Sequence, residues 1–183
     1  MRVTNTKFPD LQIIQPKIFG DDRGFFFESF NAKKFKEATG IQTKFVQDNM
    51  SRSNKGVLRG LHYQTGNAGQ AKLVSVIEGE VLDVVVDLRS KSPTYGQHFK
   101  IRLTGENKKQ LFIPKGFAHG YAVLSETALF YYKCDNYYAP DSEGGVMYND
   151  PAFNIDWEFD LTTAVLSKKD KKYPAFEQHI PVK

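Results

Sequence analysis

The sequence predicts a mainly β domain whose short strands form a sandwich or barrel, with a few short helices outside it. Short apolar runs alternate with Gly, Pro, Asn and Asp along most of the chain, which is typical of strands joined by turns. Aromatic residues make up 14% of the 183 residues, and they favour strands. No repeat or Pro/Gly/Ser-rich linker divides the chain, so we predict one domain over residues 1–183. A jelly roll fits this pattern, and a closed sheet of this kind can hold one small ligand.

The individual elements follow from local signals. A helix is predicted over Asn31–Thr39, with Asn31 as the N-cap and Gly40 just beyond the end. Alternation is plainest in residues 81–88, whose even-numbered residues are apolar and share one face, with Asp83 and Asp87 on the other. Further strands are predicted at Lys72–Ile77, Phe99–Leu103, Gln110–Ile113, Tyr121–Leu124 and Ala128–Cys134. The Lys-rich segment after residue 160 predicts one or two short helices packed outside the sheets.

Charge and cysteine content exclude several classes of function. Lys and Arg number 25 against 21 Asp and Glu, which gives a net charge of +4. Half of that excess lies in residues 160–183, so a nucleic-acid-binding surface is disfavoured. Cys134 is the one cysteine, which excludes an intramolecular disulfide and a multi-cysteine zinc site. We expect a cytoplasmic protein without membrane contact, because we see neither a secretory signal nor an apolar run of about 18 residues.

The run Arg59-Gly60-Leu61-His62-Tyr63-Gln64 is the first candidate for chemistry. A histidine is the usual general base, and an arginine can clamp an anion such as phosphate. The alternative is a histidine that is simply hydrogen-bonded within a strand. Strict alternation would place Arg59 and His62 on opposite faces, and a bulge at Gly60 would remove that conflict.

Lys72 and His119 are two further candidates, each with a plain structural alternative. Lys72 shares a face with Val74 and Val76, so it is either a lysine at the rim of the barrel, which base rates favour, or a cation against a negative ligand atom. His119 lies between small residues, which leave room for a ligand but also suit a tight hairpin. A metal site is disfavoured, since Gln64 stands where a His-X-His pair would need its second imidazole.

The remaining candidates are weak signals when taken singly. Tyr132 is either a general acid or a core tyrosine with its hydroxyl satisfied, and the core interpretation is favoured. Arg23 lies in a turn before an aromatic strand, in which Phe26 and Glu28 share a face. The run Gln47-Asp48-Asn49 supplies amides and a carboxylate of the kind that read base edges.

Taken together, these segments resemble the dTDP-4-dehydrorhamnose 3,5-epimerase family of dTDP-sugar-modifying cupins. The segments that match are GVLRGLHYQ (56–64), QAKLV (70–74), GEVLDVVVDLR (79–89), SPTYG (92–96), IPKGFAHGY (113–121) and YKCDNYYAP (132–140). FGDDRGFFFESF (19–30), FVQDN (45–49) and LSKKD (166–170) are also similar to the family. The resemblance implies a cupin jelly roll, a homodimer, no metal or organic cofactor, and dTDP-4-dehydro-6-deoxyglucose as the substrate.

The resemblance also implies roles for individual residues. His62 is the expected base, oriented by Asp170; Tyr132 is the acid on the opposite face of the sugar, and Lys72 stabilises the enolate oxygen. The other expected substrate contacts are Arg23 and Arg59 at the diphosphate, His119 at the sugar and phosphates, Phe26, Glu28, Gln47, Asp48, Asn49 and Glu143 in the nucleotide site, Tyr138 stacked on thymine, and Lys169, or Lys168 beside it, in the tail.

This chemistry explains why such residue types are needed. A ketone at C4 acidifies the protons on C3 and C5, and removal of either gives an enolate whose oxygen needs a fixed cation or donor. Inversion requires a proton from the other face, hence an acid separate from the base. We therefore expect a 3,5-epimerase. The alternatives are an enzyme that inverts one centre or isomerises the ketone, and a non-catalytic cupin that only binds nucleotide sugars. Leu129 and the segment 65–69 depart from the family pattern without touching an expected catalytic role.

Overall fold

The computed structural model describes residues 1–182. The strands in that range are β1 (Arg2–Asn5), β2 (Gln12–Gln15), β3 (Ile18–Asp21), β4 (Gly24–Phe27), β5 (Gln47–Asn54), β6 (Leu58–Gln64), β7 (Lys72–Glu78), β8 (Glu80–Asp87), β9 (His98–Thr104), β10 (Gln110–Ile113), β11 (Phe117–Val123), β12 (Thr127–Cys134) and β13 (Glu143–Gly145). One helix, α1 (Ala32–Thr39), and the short 3-10 turns Gly66–Ala68, Pro140–Ser142, Leu161–Thr163, Asp170–Lys172 and Phe176–Gln178 complete the described elements. No helix within residues 1–182 is long and apolar enough to cross a membrane.

Two antiparallel sheets form the body of the fold. The first has six strands in the order β1-β2-β10-β7-β12-β5, and the second has five in the order β13-β6-β11-β8-β9. Strands β3 and β4 form a separate hairpin. Neighbours in the sheets are mostly distant in sequence, as in a jelly roll. The predicted β jelly roll is confirmed.

Strand β8 is buried on both of its faces, which explains its nearly continuous apolar sequence. Its odd-numbered valines, Val81 and Val85, pack between the two sheets with residues of β7, β10 and β12. Its even-numbered residues pack on the outer side of the five-stranded sheet under a cover that includes Phe153 and Trp157. The segment after β13 therefore acts as a third layer over that sheet.

The helix forms where its local signals predict it. The side chain of Asn31 accepts a hydrogen bond from the Lys34 amide at 3.1 Å, which caps the first turn. Gly40 ends the helix at φ 73°, a conformation that glycine adopts without strain. Phe35 is the buried residue of the helix, and it packs with Leu73 and Phe112 on the outer face of the six-stranded sheet.

Two predictions about the elements need correction. Strand β11 begins at Phe117 rather than at Tyr121, because Gly120 lies within the strand rather than in a turn. A Cβ at Gly120 would lie 2.5 Å from the Arg59 carbonyl oxygen, so close approach of β6 accounts for the glycine. The tail forms three 3-10 turns instead of one or two helices.

Candidate active site

A cavity of about 360 Å³ opens between the two sheets. Its walls are polar on both sides, although the rest of the space between the sheets is apolar. The lining residues are Asn49, Met50, Ser51, Arg59, His62, Lys72, His119, Gly120, Tyr121, Phe130, Tyr132, Ser167, Lys169 and Asp170. Residues predicted from six separate segments of the sequence therefore meet in one place.

Arg59 and His62 both reach this cavity because β6 is irregular at Gly60, as the sequence predicts. The ladder between β6 and β11 shifts register between His119 and Tyr121. Gly60 has φ 122°, and a Cβ there would lie 2.5 Å from Cα of Gly120. A larger residue would force the two strands apart, so the glycine allows the shift that turns both side chains inward.

His62 is paired with the carboxylate of Asp170. Nε2 of His62 lies 2.5 Å from Oδ1 of Asp170, and the Ser167 hydroxyl donates to Oδ2 at 2.8 Å. The side chain of Asp170 is only 4% exposed. Burial raises the pKa of Asp170, but the hydrogen bonds from His62 and Ser167 outweigh burial and hold the pKa below its ordinary value. An ionised carboxylate only accepts, so Nε2 of His62 carries the proton and Nδ1 is left as the basic nitrogen.

His119 has a carboxylate partner of its own, which the sequence analysis missed. Nε2 of His119 lies 2.9 Å from Oδ2 of Asp83, within hydrogen-bond distance, and Asp83 is fully buried. Its Oδ1 has no hydrogen-bond partner within residues 1–182. Burial raises the pKa of Asp83, against the opposing influence of His119 and Lys72. The sequence signal that could have identified Asp83 is an acidic residue between apolar neighbours, in a strand whose nearly continuous apolar sequence indicates burial on both faces.

Lys72 points into the cavity, so the favoured interpretation of a rim lysine is wrong. Its Nζ lies 5.8 Å from the centroid of the Tyr132 ring. Burial lowers the pKa of the Lys72 ammonium below its ordinary value, and the neighbouring Cys134, Asp83 and Glu143 oppose that shift only in part. Base rates mislead here because Lys72 is only half-buried, and a lysine in such a place is tolerated where carboxylates are close.

Tyr132 lines the cavity from the six-stranded sheet, whereas His62 lines it from the five-stranded sheet. The core interpretation of Tyr132 is met in part, because its ring packs against the core, 5.9 Å from the ring of Phe130. Burial raises the pKa of Tyr132 to about 12. Its hydroxyl is thus protonated at neutral pH and faces the cavity from the wall opposite the His62 imidazole.

Glu143 connects the mouth of the cavity to the tail. Its carboxylate accepts hydrogen bonds from the hydroxyls of Tyr138, at 2.5 Å, and Tyr173, at 3.0 Å, and pairs with Lys169 at 2.6 Å. Burial raises the pKa of Glu143, but these three donors outweigh it and the pKa lies below its ordinary value. Gln47 belongs to the same group, since its side-chain oxygen accepts from the Tyr138 amide at 3.0 Å. Lys169, not Lys168, lines the cavity.

Four of the predicted contacts lie neither in the cavity of their own chain nor in the group of Gln47, Tyr138 and Glu143 at its mouth. Arg23 lies in the β3–β4 turn with 90% of its side chain exposed, paired with Asp21. Phe26 in β4 is 69% exposed, and Glu28 pairs with Lys34 at 3.0 Å. The structure places the first three of these residues, Arg23, Phe26 and Glu28, on or just beyond the hairpin.

Asp48 is the fourth, and it lies on the outer face of the six-stranded sheet. Alternation along β5 turns Asp48 to the face opposite Gln47 and Asn49. There its carboxylate accepts from Lys133 Nζ at 2.8 Å and from the Tyr131 hydroxyl at 2.9 Å. The side chain is thus held away from the cavity by two partners on the outer face of the sheet.

No group of three or more His, Cys, Asp or Glu within residues 1–182 is arranged to hold a metal ion. The ionisable groups instead form two histidine–carboxylate pairs with a lysine and a tyrosine. Such a set can remove a proton, stabilise an oxyanion and deliver a proton from the other side.

The comparisons with known proteins match this geometry. The family model for dTDP-4-dehydrorhamnose 3,5-epimerase matches residues 5–178. The chain belongs to this family. It is 53% identical over 178 residues to the dTDP-4-dehydrorhamnose 3,5-epimerase of Salmonella typhimurium, which covers 97% of each chain. The family's cupin fold is shared by the chain, as predicted.

Two solved structures of the family superpose on almost the whole chain. The 3,5-epimerase of Elizabethkingia anophelis has a TM-score of 0.93 at 52% identity and covers 97% of both chains. The dTDP-6-deoxy-D-glucose-3,5-epimerase of Legionella pneumophila, solved in complex with dTDP-4-keto-L-rhamnose, has a TM-score of 0.93 at 54% identity and covers 97% of this chain and 93% of that one.

Proposed function

We propose that the chain inverts C3 and C5 of dTDP-4-dehydro-6-deoxy-D-glucose and so forms dTDP-4-dehydro-L-rhamnose. It is an isomerase of the carbohydrate epimerase type, as its family is. The observation that carries the proposal is that His62, paired with Asp170, and Tyr132 line opposite walls of one cavity. An inversion needs a base and an acid on opposite faces of the sugar.

Each inversion proceeds in two proton transfers. Nδ1 of His62 takes the proton from the carbon next to the C4 ketone, and the electrons of the C–H bond move into a C–C double bond while the C4 oxygen becomes negative. The ammonium of Lys72 stabilises that oxygen. The hydroxyl of Tyr132 then delivers a proton to the opposite face of the carbon and the ketone reforms. His62 releases the proton that it took to water, and Tyr132 takes one up from water. The same steps at the second carbon complete the reaction.

The nucleotide part of the substrate binds at the mouth of the cavity. Arg59 is held there by its Nε and guanidinium bonds to Ser53, at 3.2 and 3.1 Å, and its charge suits a diphosphate. Tyr138 is half exposed and offers its ring to the thymine base. Lys169, His119 and Asn49 complete the contacts that we assign to the substrate.

Incubation of the protein with the 4-ketosugar nucleotide in heavy water tests this function. Two deuterons, one at C3 and one at C5, are expected in the product by NMR or mass spectrometry. One deuteron would make the chain a single-centre epimerase. No incorporation would overturn the proposal and leave nucleotide-sugar binding, which calorimetry with dTDP would detect.

A homodimer is part of the proposal, because the hairpin needs a partner. Phe19, Phe25 and Phe26 expose 53, 60 and 69% of their surface on β3 and β4, an exposure typical of an interaction surface. In a dimer this hairpin can bring Arg23, Phe26 and Glu28 to the other subunit's nucleotide site, where family resemblance expects them. Sedimentation analysis should give twice the mass of one chain. A monomer that turns over the substrate would contradict the proposed homodimer.

We also propose that residues 1–183 act as one domain and that the protein works in the cytoplasm. The support for one domain is that β1 and β12 share the six-stranded sheet and the tail supplies Asp170 to the cavity. The support for the cytoplasm is the buried free thiol of Cys134, which suits a reducing compartment. Limited proteolysis tests the single domain, and it should leave a resistant core that contains the tail. Cell fractionation tests the location, and it should recover the protein in the cytosolic fraction.

A further inference from the structure

Tyr173 packs against the proposed catalytic base, although it is not among the residues that line the cavity. It follows the 3-10 turn Asp170–Lys172, which carries the carboxylate partner of His62. Its ring meets that of His62 edge-on, with the centroids 5.4 Å apart and the planes at 61°. His62 is therefore held by Asp170 at one nitrogen and by an aromatic ring at its side.

The space for this ring is created by a glycine. Gly145 in β13 is the ladder partner of His62 in β6, so any side chain at 145 would stand beside the imidazole. A Cβ at Gly145 would lie 2.4 Å from Cδ1 of Tyr173 and 2.6 Å from its Cγ. The absence of a side chain at 145 is thus what lets the tail residue Tyr173 take that place.

The far end of the ring is fixed as well. The Tyr173 hydroxyl donates to Oε1 of Glu143 at 3.0 Å, and Oε2 of the same carboxylate accepts from Tyr138. Tyr173 therefore spans the distance between the carboxylate at the nucleotide end of the site and the imidazole at the sugar end. A ring held at its edge, its face and its hydroxyl has little freedom to rotate.

We infer that Tyr173 is a positioning residue for the epimerisation, which acts by holding the His62 imidazole in line with Asp170. This inference rests on the proposed function for the role of His62. The ring is the element that positions, and the bond to Glu143 keeps the ring over Gly145. Loss of the ring would let the imidazole turn, and a displacement of about 1 Å can cost about 100-fold in rate.

The variants Tyr173→Ala and Tyr173→Phe distinguish the effect of the ring on kcat from the effect of its hydroxyl. The alanine variant should lose roughly 10- to 100-fold in kcat with little change in KM, because the imidazole acts in the transition state rather than in binding. The phenylalanine variant should recover most of that kcat. Equal kcat in the alanine variant and the parent would overturn the inference, as would a phenylalanine variant as slow as the alanine one.

Gly145→Ala tests the same contact from the other side. Its methyl group must displace the Tyr173 ring, so kcat should fall as it does in Tyr173→Ala. The double variant should be no slower than Tyr173→Ala alone, because the ring that the methyl displaces is then already gone. Additive losses would mean that the two residues act independently and would overturn the inference.

Imidazole NMR signals give a readout that does not depend on turnover. In protein labelled with ¹⁵N-histidine, the His62 signals are identified by their loss in His62→Asn. They should shift or broaden in Tyr173→Ala and stay in place in Phe176→Ala, a matched control whose ring stacks 5.2 Å from that of His179 in the same tail. Unchanged His62 signals in Tyr173→Ala would overturn the inference. If the unmutated protein proved inactive but the His62 signals still shifted in Tyr173→Ala, the proposed function would be overturned and the positioning of His62 by Tyr173 would stand.

Discussion

Nε2 of His62 lies 2.5 Å from Oδ1 of Asp170, although 108 positions separate the two residues in the chain. The imidazole stands on a strand within the five-stranded sheet, whereas the carboxylate comes from a short 3-10 turn of the tail. The pairing fixes one tautomer, so the basic nitrogen of His62 is Nδ1. The geometry of the base thus depends on the docking of a segment outside the sheets.

Asp170→Asn should lower kcat by about 10³- to 10⁴-fold, because the amide can hold the imidazole in the wrong tautomer. Initial rates with the 4-ketosugar nucleotide measure the loss. Asp160→Asn is the matched control, since Asp160 caps another 3-10 turn of the tail through Thr162 and is exposed. A similar loss in both variants would mean that the tail as a whole, rather than the carboxylate beside His62, had been disturbed.

The same carboxylate should make stability depend on pH in acid. The pKa of Asp170 is lower in the fold than its ordinary value, because its hydrogen bonds outweigh burial. A group with a lowered folded pKa stabilises the protein above its unfolded pKa, about 3.9 for Asp, and that contribution is lost as the pH falls through the folded value. The Tm difference between the parent and Asp170→Asn should therefore be full above about pH 5 and shrink below about pH 4. A difference that grows in acid would contradict this assignment.

Tyr132→Phe should greatly slow inversion while exchange of the substrate's protons with water continues. The variant keeps the base but loses the group that protonates the opposite face, a loss of about 10²- to 10⁴-fold. NMR in heavy water separates exchange from inversion. Tyr131→Phe is the control, because its hydroxyl bonds Asp48 on the outer face of the same strand. Normal inversion in Tyr132→Phe would remove Tyr132 from the mechanism.

Lys72→Met should reduce kcat by about 10²- to 10³-fold and leave the affinity for dTDP unchanged, because the charge on the C4 oxygen develops only during the reaction. Stopped assays and calorimetry measure the two quantities. Lys133→Met, on the outer face of the six-stranded sheet, controls for the loss of a lysine. Weaker dTDP binding with unchanged kcat would assign Lys72 to the nucleotide instead of the enolate.

Asp83→Asn should move the alkaline limit of activity to lower pH. The charge of Asp83 raises the pKa of Lys72 against the larger lowering by burial, so loss of that charge lets the Lys72 pKa fall further. The ammonium that stabilises the enolate is then lost at a lower pH. In a plot of kcat/KM against pH, Asp83→Asn should shift the fall in activity at high pH to a lower pH. Asp87→Asn is the control and should leave that fall in place, because the Asp87 carboxylate bonds Arg89, Ser92 and Thr94.

Features encoded by a few consecutive residues could be predicted from the sequence. The helix with its Asn31 cap and its Gly40 end is of this kind, and Gln110–Ile113 is a strand with the predicted bounds. The inward turn of Arg59 and His62 was also predictable, because a glycine stood between them. Gln47, Asp48 and Asn49 were predicted as one group, although the alternation of side chains along a strand already indicates that Asp48 faces away from the other two.

Features that depend on distant partners could not be predicted in this way. The burial of Asp83 and the inward position of Lys72 depend on β8 and β11 of one sheet facing β7 of the other, and no local sequence pattern predicts that arrangement. Resemblance to the family identified the pair His62 and Asp170, but it said nothing of Tyr173 beside them. That contact requires both the glycine at 145 and the path of the tail.

The late position of Asp170 in the chain has a consequence for how activity arises during synthesis. A ribosome completes all of the described strands before it adds the carboxylate that orients His62. The strands of both sheets can pair around a histidine that is still without its partner. Activity then requires a further step, in which the tail docks beside β6 and supplies Asp170 together with Ser167 and Lys169 of the cavity wall, so that a nascent chain without the tail has the histidine but no competent base.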